Sequence, residues 1–263
     1  MNPLAILDHL DRTALWPADR DPLPDLASAY QRALAVRALR TARGEVPRGF
    51  KIGFTNPGIW KRYEVFAPIW GTVWDSTLAL CEGSGKVCLT GVCQPRLEPE
   101  LVFGMKARPG PGDSLETLFE AIDWVAPGFE IVQSHLPDWK FTAPDTVADG
   151  ALHARLLVGP RQALHTLANN ATELDRLLAS VPVGLYRHGT LMEEGRGANV
   201  LGSPLRALAH FLKEMRQCPG APDLGAGDVV TTGTCTDAWP VQAGEHWHAS
   251  FGDVFGTLEI EFT

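Results

Sequence analysis

The sequence predicts an α+β protein, with a mainly helical N-terminal region at residues 1–65 and a body of mixed β-sheet at residues 66–263. Three observations carry that prediction. Helical periodicity dominates the first 45 residues. Beyond them, short strand-like segments recur between Gly, Pro and Asp turns. Strands and helices do not alternate regularly, which disfavours a doubly wound parallel sheet. A chain of 263 residues is long enough for one large domain, or for a small N-terminal piece with a larger body.

The elements follow in order. Residues 3–15 form an amphipathic helix, and "DLASAYQRALAVRALRTARG", rich in Ala and Leu, forms a second that ends at Gly44. "GFKIGFT" sets Phe50, Ile52 and Phe54 against Lys51, Gly53 and Thr55, the alternation of a strand with Lys51 on its less apolar face. "NPGIWKRYEVF" reads as a loop and short helix, and "GTVWDSTLAL" as strand. Further strands are predicted around 86–92, 97–104, 125–134, 153–158 and 181–187, and an exposed turn at 106–113. Helices are predicted near 114–123 and 203–217, the second opened by Ser203 as cap and Pro204 at its first position. "DVVTTGT", "HWHASFG" and "GTLEIEFT" make the C-terminus β, with Leu258, Ile260 and Phe262 facing inward.

Composition narrows the function. The net charge is −8, without a Lys/Arg run or basic helix, so neither nucleic acid nor an anionic membrane surface is expected as a partner. No apolar run approaches the ~18 residues of a membrane span, and the charged first residues do not read as a signal peptide. Five cysteines without CxxC pairing suit reduced, structural thiols and a cytoplasmic setting. An anionic small molecule remains a suitable partner, provided something positive and local holds it.

"PRLEPELVFG" contains the candidate chemistry. In a strand Glu98 and Glu100 share one face, their roots about 6–7 Å apart. At an effective dielectric near 20 they repel by roughly 2–3 kcal/mol. Glu130 interrupts a second apolar stretch, "APGFEIV". Three carboxylates suit a hard dication, Mg²⁺ or Mn²⁺. On spacing alone, the solvent face of an edge strand, which Pro99 also suits, explains Glu98 and Glu100 equally well. Lys51 is either a solvated lysine or a group that holds a substrate carboxylate or donates a proton. Asp75 is similarly ambiguous, since an aspartate after a strand is commonly a turn residue.

Taken together, "KIGFT", "VWDS", "LEPELVFG", "PGFEIV", "VADGALHARLLVG", "GANVLGSPLRALAHFL" and "GDVVTTGT" resemble, in order and spacing, the 2-keto-4-pentenoate hydratase and 4-oxalocrotonate decarboxylase group of the fumarylacetoacetate hydrolase superfamily. The resemblance implies a helical N-terminal region and a compact mixed β-roll, a Mg²⁺ (or Mn²⁺) cofactor on Glu98, Glu100 and Glu130, and an active-site lysine at Lys51 with Asp75 beside it. It also implies substrate contacts from Thr234 and its neighbour Thr232, a homo-oligomer, and a small anionic 2-oxo acid as substrate. The implied reaction is addition of water to a 2-hydroxy-dienoate or 2-oxo-enoate, as in catabolism of aromatic compounds. Decarboxylation of a 2-oxo-enedioate comes next, and acylpyruvate-type C–C hydrolysis third. An inactive partner subunit would need none of these residues.

Two departures stand out. "DGALHA" replaces the group's usual "DNASS", which makes His153 either an additional acid–base or substrate-binding group or a histidine packed on a strand. Gln133 stands where aspartate is common, and His135 and Lys140 nearby either bind a second anionic group or, as expected here, are simply exposed. Trp60, Trp70 and Trp74 are expected in core or rim, with Trp60 and Tyr63 in a lid between Lys51 and Asp75. That segment contains Glu64 but no histidine, against the His/Glu pair of the hydrolases.

Overall fold

The computed structural model describes residues 1–263 except Asp113, without the side chains of Ile59, Arg62 and Tyr63. The end of the turn expected at 106–113 and the lid role expected of the Tyr63 side chain therefore lie outside the described residues. The architecture is two mixed sheets, with helices at the N-terminus and against the sheet faces.

Among the described residues the larger sheet has nine strands. Its main path runs Ile69–Trp74, Pro47–Gly53, Val229–Thr231, Arg96–Met105, Ile122–Val132, His153–Val158, Leu78–Leu80. A smaller five-stranded sheet runs Thr190–Arg196, Pro182–Arg187, His246–Ser250, Thr257–Phe262, Ser84–Val87. One face of the large sheet, with Phe50, Phe103 and Phe129, packs on Trp247, Leu258 and Ile260 of the small sheet and on Phe211 of the helix Pro204–Gln217. Burying each such side chain stabilises by about 1.5–3 kcal/mol. Leu258, Ile260 and Phe262 point inward, as their alternation requires.

The opposite face is divided. Val73, Val102, Ala126, Leu156, Val158 and Val229 make one part apolar. The helices Pro3–Arg12 and Leu26–Ala42, capped by Asn2 and Asp25, contribute Ile6, Ala29 and Val36 to a further apolar cluster with Ile69, Ala148 and Ala151. The rest of the face is polar.

Three sequence expectations are corrected. The division expected near residue 65 crosses a sheet, because Pro47–Gly53 pairs with Ile69–Trp74 on one side and Val229–Thr231 on the other. The single strand expected at 71–80 is broken after Trp74, where Thr77 turns the chain by bonding both Trp74 N and Trp74 O through Oγ1. Among the described residues the helices Ala143–Ala148, Leu164–Leu167, Ala171–Ser180 and Gly252–Phe255 were not anticipated. Ala143–Ala148 starts at a capping box of Thr142 and Asp145, and Ala171–Ser180 at the Asn170 cap. No described helix is long and apolar enough to cross a membrane.

Candidate metal and substrate site

The polar part of that sheet face is assembled by register. Glu98 and Glu100 project from the same face of Arg96–Met105, and Glu98 lies directly opposite Glu130 on Ile122–Val132. One oxygen from each of the three carboxylates lies within 4.8 Å of the other two. Glu100 and Glu130 are fully buried. The strand is interior, flanked by Ile122–Val132 on one side and by Val229–Thr231 and Trp239–Pro240 on the other, so the edge-strand reading is excluded. Pro99 sits where those last two strands leave a gap, its carbonyl accepting from Cys235 N at 3.0 Å. A residue's N and C=O point to the same side of a strand, so the donor that proline lacks faces this gap.

Two of the three carboxylates are held from behind. Gly233 N donates to Glu100 Oε2 at 2.7 Å. Only glycine serves there: its φ is +98°, and a Cβ would lie 1.9 Å from Thr55 Oγ1. Glu130 is held by Lys51 Nζ at 3.4 Å, His153 Nδ1 at 2.9 Å and Thr231 Oγ1 at 3.4 Å. His153 Nε2 in turn meets Thr77 Oγ1 at 2.8 Å. Glu100 Oε1, by contrast, is buried without a partner.

Three carboxylates this close cannot all ionise unaided. Burial, with the Glu130 charge beside it and Lys51 opposing, pushes Glu98 up to about 7. Burial and the two neighbouring carboxylates push Glu100 well above the usual range. Burial also opposes charge on Glu130, but Lys51 and the hydrogen bond from His153 outweigh it and hold Glu130 below its ordinary value. Burial opposes the Lys51 ammonium as well, and Glu130, Glu98 and Glu100 outweigh it, so Lys51 is held protonated. Burial lowers His153, with Glu130 pulling the other way. The Glu130 carboxylate and the Lys51 ammonium therefore balance at the centre, while Glu100 is held toward its protonated form and Glu98 is near its midpoint at neutral pH. The orphaned Glu100 oxygen and the clustered acids fit a dication that displaces those protons.

The cluster opens at Lys51 and Glu98 into a cleft of about 380 Å³. The model for the C-terminal region of fumarylacetoacetate hydrolase matches residues 76–263. The chain belongs to this family. It is 33% identical to the 2-hydroxyhexa-2,4-dienoate hydratase of Comamonas testosteroni over 96% of this chain and 92% of that one. It is 30% identical to the 4-oxalocrotonate decarboxylase of a Pseudomonas species, covering 92% of this chain and 90% of that one. The solved 4-oxalocrotonate decarboxylase of Pseudomonas putida, complexed with magnesium and adipate, superposes with a TM-score of 0.86 at 26% identity over 99% of this chain and 95% of that one.

The remaining candidates fall inside or outside the cleft of this family member. Lys51, Glu98 and the half-buried Thr234 line it. Thr232 does not: its hydroxyl donates to Leu101 O on the strand Arg96–Met105 at 2.7 Å. Asp75 is exposed at the turn after Trp74 and caps Val46 N and Ser76 N, at 3.0 and 2.9 Å, so it is a turn residue and not a neighbour of Lys51. His153 lies behind Glu130, its Nδ1 on that carboxylate, and does not line this cleft. His135 is buried, contrary to expectation, because Asp149 accepts from both its amide and its Nδ1. Gln133 is buried in structural bonds to Cys93 N and His153 O, whereas Lys140 is exposed as expected. Trp70 and Trp74 are core, and Trp60 is anchored by Nε1 to Phe54 O at 2.7 Å.

Thr77, Thr231 and the Gly233 amide were missed. Thr231 had a usable signal: it stands one residue from Thr232 in "VVTTGT", and strand alternation gives the two opposite faces.

Proposed function

We propose that this family member is a divalent-metal-dependent hydro-lyase that adds water to a small 2-hydroxy-dienoate or 2-oxo-enoate. The observation that carries the reading is the buried Glu98–Glu100–Glu130 cluster, with its unpartnered Glu100 oxygen, beside a protonated Lys51 at the head of the cleft. Glu98, Glu100 and Glu130 would hold Mg²⁺ or Mn²⁺. When bound, the cation supplies an electrophilic anchor for a 2-oxo acid and stabilises negative charge developing on it.

The chain's own residues account for the rest. Gly233 N, Thr231 and His153 fix two of the ligand carboxylates from behind. Lys51 Nζ, 3.4 Å from Glu130 Oε2, holds the proton delivered to the dienol's far carbon, and its charge attracts an anionic substrate to an acidic protein. Thr234 lies at the cleft wall as a hydroxyl partner for the substrate. Ile69, Ala151 and Leu152 supply an apolar wall that limits water around the dienol. Water then adds across the α,β-unsaturated 2-oxo acid to leave a hydroxy-2-oxo acid.

Decarboxylation of a 2-oxo-enedioate is the second reading, favoured by the likeness to decarboxylases over nearly the whole chain. The absence of histidine from residues 51–75 argues against the hydrolase chemistry. Incubation with a 2-hydroxy-dienoate and with an enedioate, following dienol absorbance and CO₂, separates the first two. Metal-dependent turnover is expected, and Glu98→Gln should abolish both Mg²⁺ binding by calorimetry and turnover in a folded protein. Unchanged affinity would show that Glu98 is not a ligand.

A further inference from the structure

Among the described residues, buried threonines spend their hydroxyls on the fold, with one exception. Thr146 Oγ1 donates to Ala143 O and Thr232 Oγ1 to Leu101 O, both at 2.7 Å. Thr236 Oγ1 donates to Asp237 O at 3.0 Å, Thr231 meets Glu130, and Thr77 meets Trp74 O and His153. Thr55 is 4% exposed, yet its Oγ1 has no hydrogen-bond partner among the described residues. Valine would fill the same space without an unsatisfied hydroxyl, so packing does not account for a threonine here.

The hydroxyl stands beside the acid cluster. Thr55 lines the cleft, and unlike Glu100 Oε1 its oxygen is not sealed off. A Cβ on Gly233 would lie 1.9 Å from Thr55 Oγ1, so the hydroxyl rests against the residue whose amide donates to Glu100. In the same chain segment Lys51 Nζ leans over Gly53, 3.4 Å from where a Cβ there would stand. The backbone is held to present the side chain. Phe54 has a φ of 58°, which bulky residues rarely adopt, and its carbonyl accepts from Trp60 Nε1 at 2.7 Å. Thr55 O accepts from Leu201 N at 2.9 Å.

We propose that Thr55 is a substrate-binding residue whose hydroxyl donates to the C1 carboxylate of the 2-oxo acid, on the Glu100 side of the acid cluster. A carboxylate offers about four acceptor positions, more than a cation and the Lys51 ammonium engage. Thr234, the residue after Gly233, accepts from Thr236 N at 3.2 Å and retains a proton to donate. Thr55 brings a second, uncommitted hydroxyl to the same glycine. A donor already anchored through its neighbouring carbonyls binds with little further ordering. The assignment rests on the metal-dependent 2-oxo acid reading above and adds a binding group to that site; it holds for hydration and for decarboxylation alike.

The test is calorimetric binding of 2-oxopentanoate, a saturated and unreactive probe, to the protein at saturating Mg²⁺ and pH 8. Thr55→Val should weaken binding by about tenfold or more, the worth of a hydrogen bond to a charged group. The same variant should keep Mg²⁺ affinity within about twofold of wild type. It should melt at or slightly above the wild-type temperature, since it removes an unsatisfied hydroxyl without opening a cavity. Thr55→Ser, which keeps the hydroxyl, should bind the probe within about threefold of wild type. Unchanged probe affinity in Thr55→Val, or equal losses in the valine and serine variants, overturns the proposal and leaves the metal-site reading standing. A lowered melting temperature in Thr55→Val, with Mg²⁺ affinity lost as well, would show a structural role and overturn it too. Failure of the wild type to bind 2-oxopentanoate in a Mg²⁺-dependent way overturns both.

Discussion

His135 and His153 are both buried, and each sets Nδ1 on a carboxylate, Asp149 at 2.7 Å and Glu130 at 2.9 Å. Beyond that contact they diverge. Asp149 turns its other oxygen back to the His135 amide at 2.9 Å, and His135 Nε2 is buried without a partner. The pair closes on itself and ties residues 134–136 to the end of the helix Ala143–Ala148. Glu130 turns its other oxygen to Lys51 and Thr231, and His153 Nε2 meets Thr77, so this pair is one link between Thr77 and the head of the cleft. A buried histidine–carboxylate contact is therefore no sign of a site by itself. What the carboxylate's second oxygen faces decides its role.

The sharpest way to break the comparison is to remove the two acids' partners separately. Asp149→Ala strands a buried amide and ring nitrogen and should cost about 2–5 kcal/mol of stability, seen in denaturant melts. Activity per folded molecule should be unaffected. Asp149→Asn, which keeps an acceptor, should recover much of the loss. A specific loss of turnover in folded Asp149→Asn would mean that the two pairs are not different in kind.

The counterpart is His153→Leu, expected to lower Mg²⁺ affinity or turnover by about 10–100-fold with a smaller loss of stability. Its lowered pKa keeps the ring neutral, with the proton on Nδ1 directed at the Glu130 carboxylate. His153→Asn can place an amide donor near that Nδ1 position and should restore affinity relative to His153→Leu. Equal defects in the two variants would point to packing instead of orientation of Glu130.

These outcomes also mark how far the residues alone could be read. Glu98 and Glu100 share a face because strand side chains alternate, a local rule, and Lys51 was legible by the same rule. The helix Leu26–Ala42 and the inward Leu258, Ile260 and Phe262 were legible for similar local reasons. The pairing of Glu98 with Glu130 depends on register between strands, which no local rule gives. Thr77 meets His153 across 76 positions and Thr231 meets Glu130 across 101, so neither contact leaves a trace in nearby sequence. Thr232 was misread for its neighbour because both are threonine and only the face distinguishes them. His135 was misread because its partner, Asp149, enters from a helix that was not anticipated.

A third comparison uses protons. In the metal-free protein Glu98 titrates at about 7 and Glu100 well above its ordinary range, so at pH 6 both carry protons that a dication must displace. Mg²⁺ affinity should therefore rise with pH between about 6 and 8, by up to about tenfold per unit for each proton released. The linkage for folding has the opposite sign. The folded state binds these protons more tightly than the unfolded chain, so metal-free stability falls as pH rises from about 4.5 to 7. Added Mg²⁺ should raise the melting temperature more at pH 8 than at pH 6. Asp149, paired within its own segment, offers no such metal-linked response, so Asp149→Asn should leave the Mg²⁺ increment unchanged. A pH-independent increment in the wild type would mean that the glutamates are not displaced acids.

The smallest effect is expected at Asp75, where the sequence pattern and the geometry part most clearly. Its carboxylate accepts from Val46 N and Ser76 N at an exposed turn, on the far side of Trp74 from the strand residues that line the cleft. Asp75→Asn keeps an acceptor there and should change stability by less than about 1 kcal/mol, with turnover within about twofold of wild type. A folded Asp75→Asn protein that binds Mg²⁺ normally yet turns over 10²-fold more slowly, the scale of a lost proton-transfer group, would require the turn to rearrange when substrate is bound. It would also extend the proton-handling side of the site past Lys51 to the surface acid. In the proposed reaction that duty falls to Lys51, whose Nζ lies 3.4 Å from Glu130 Oε2 at the head of the cleft.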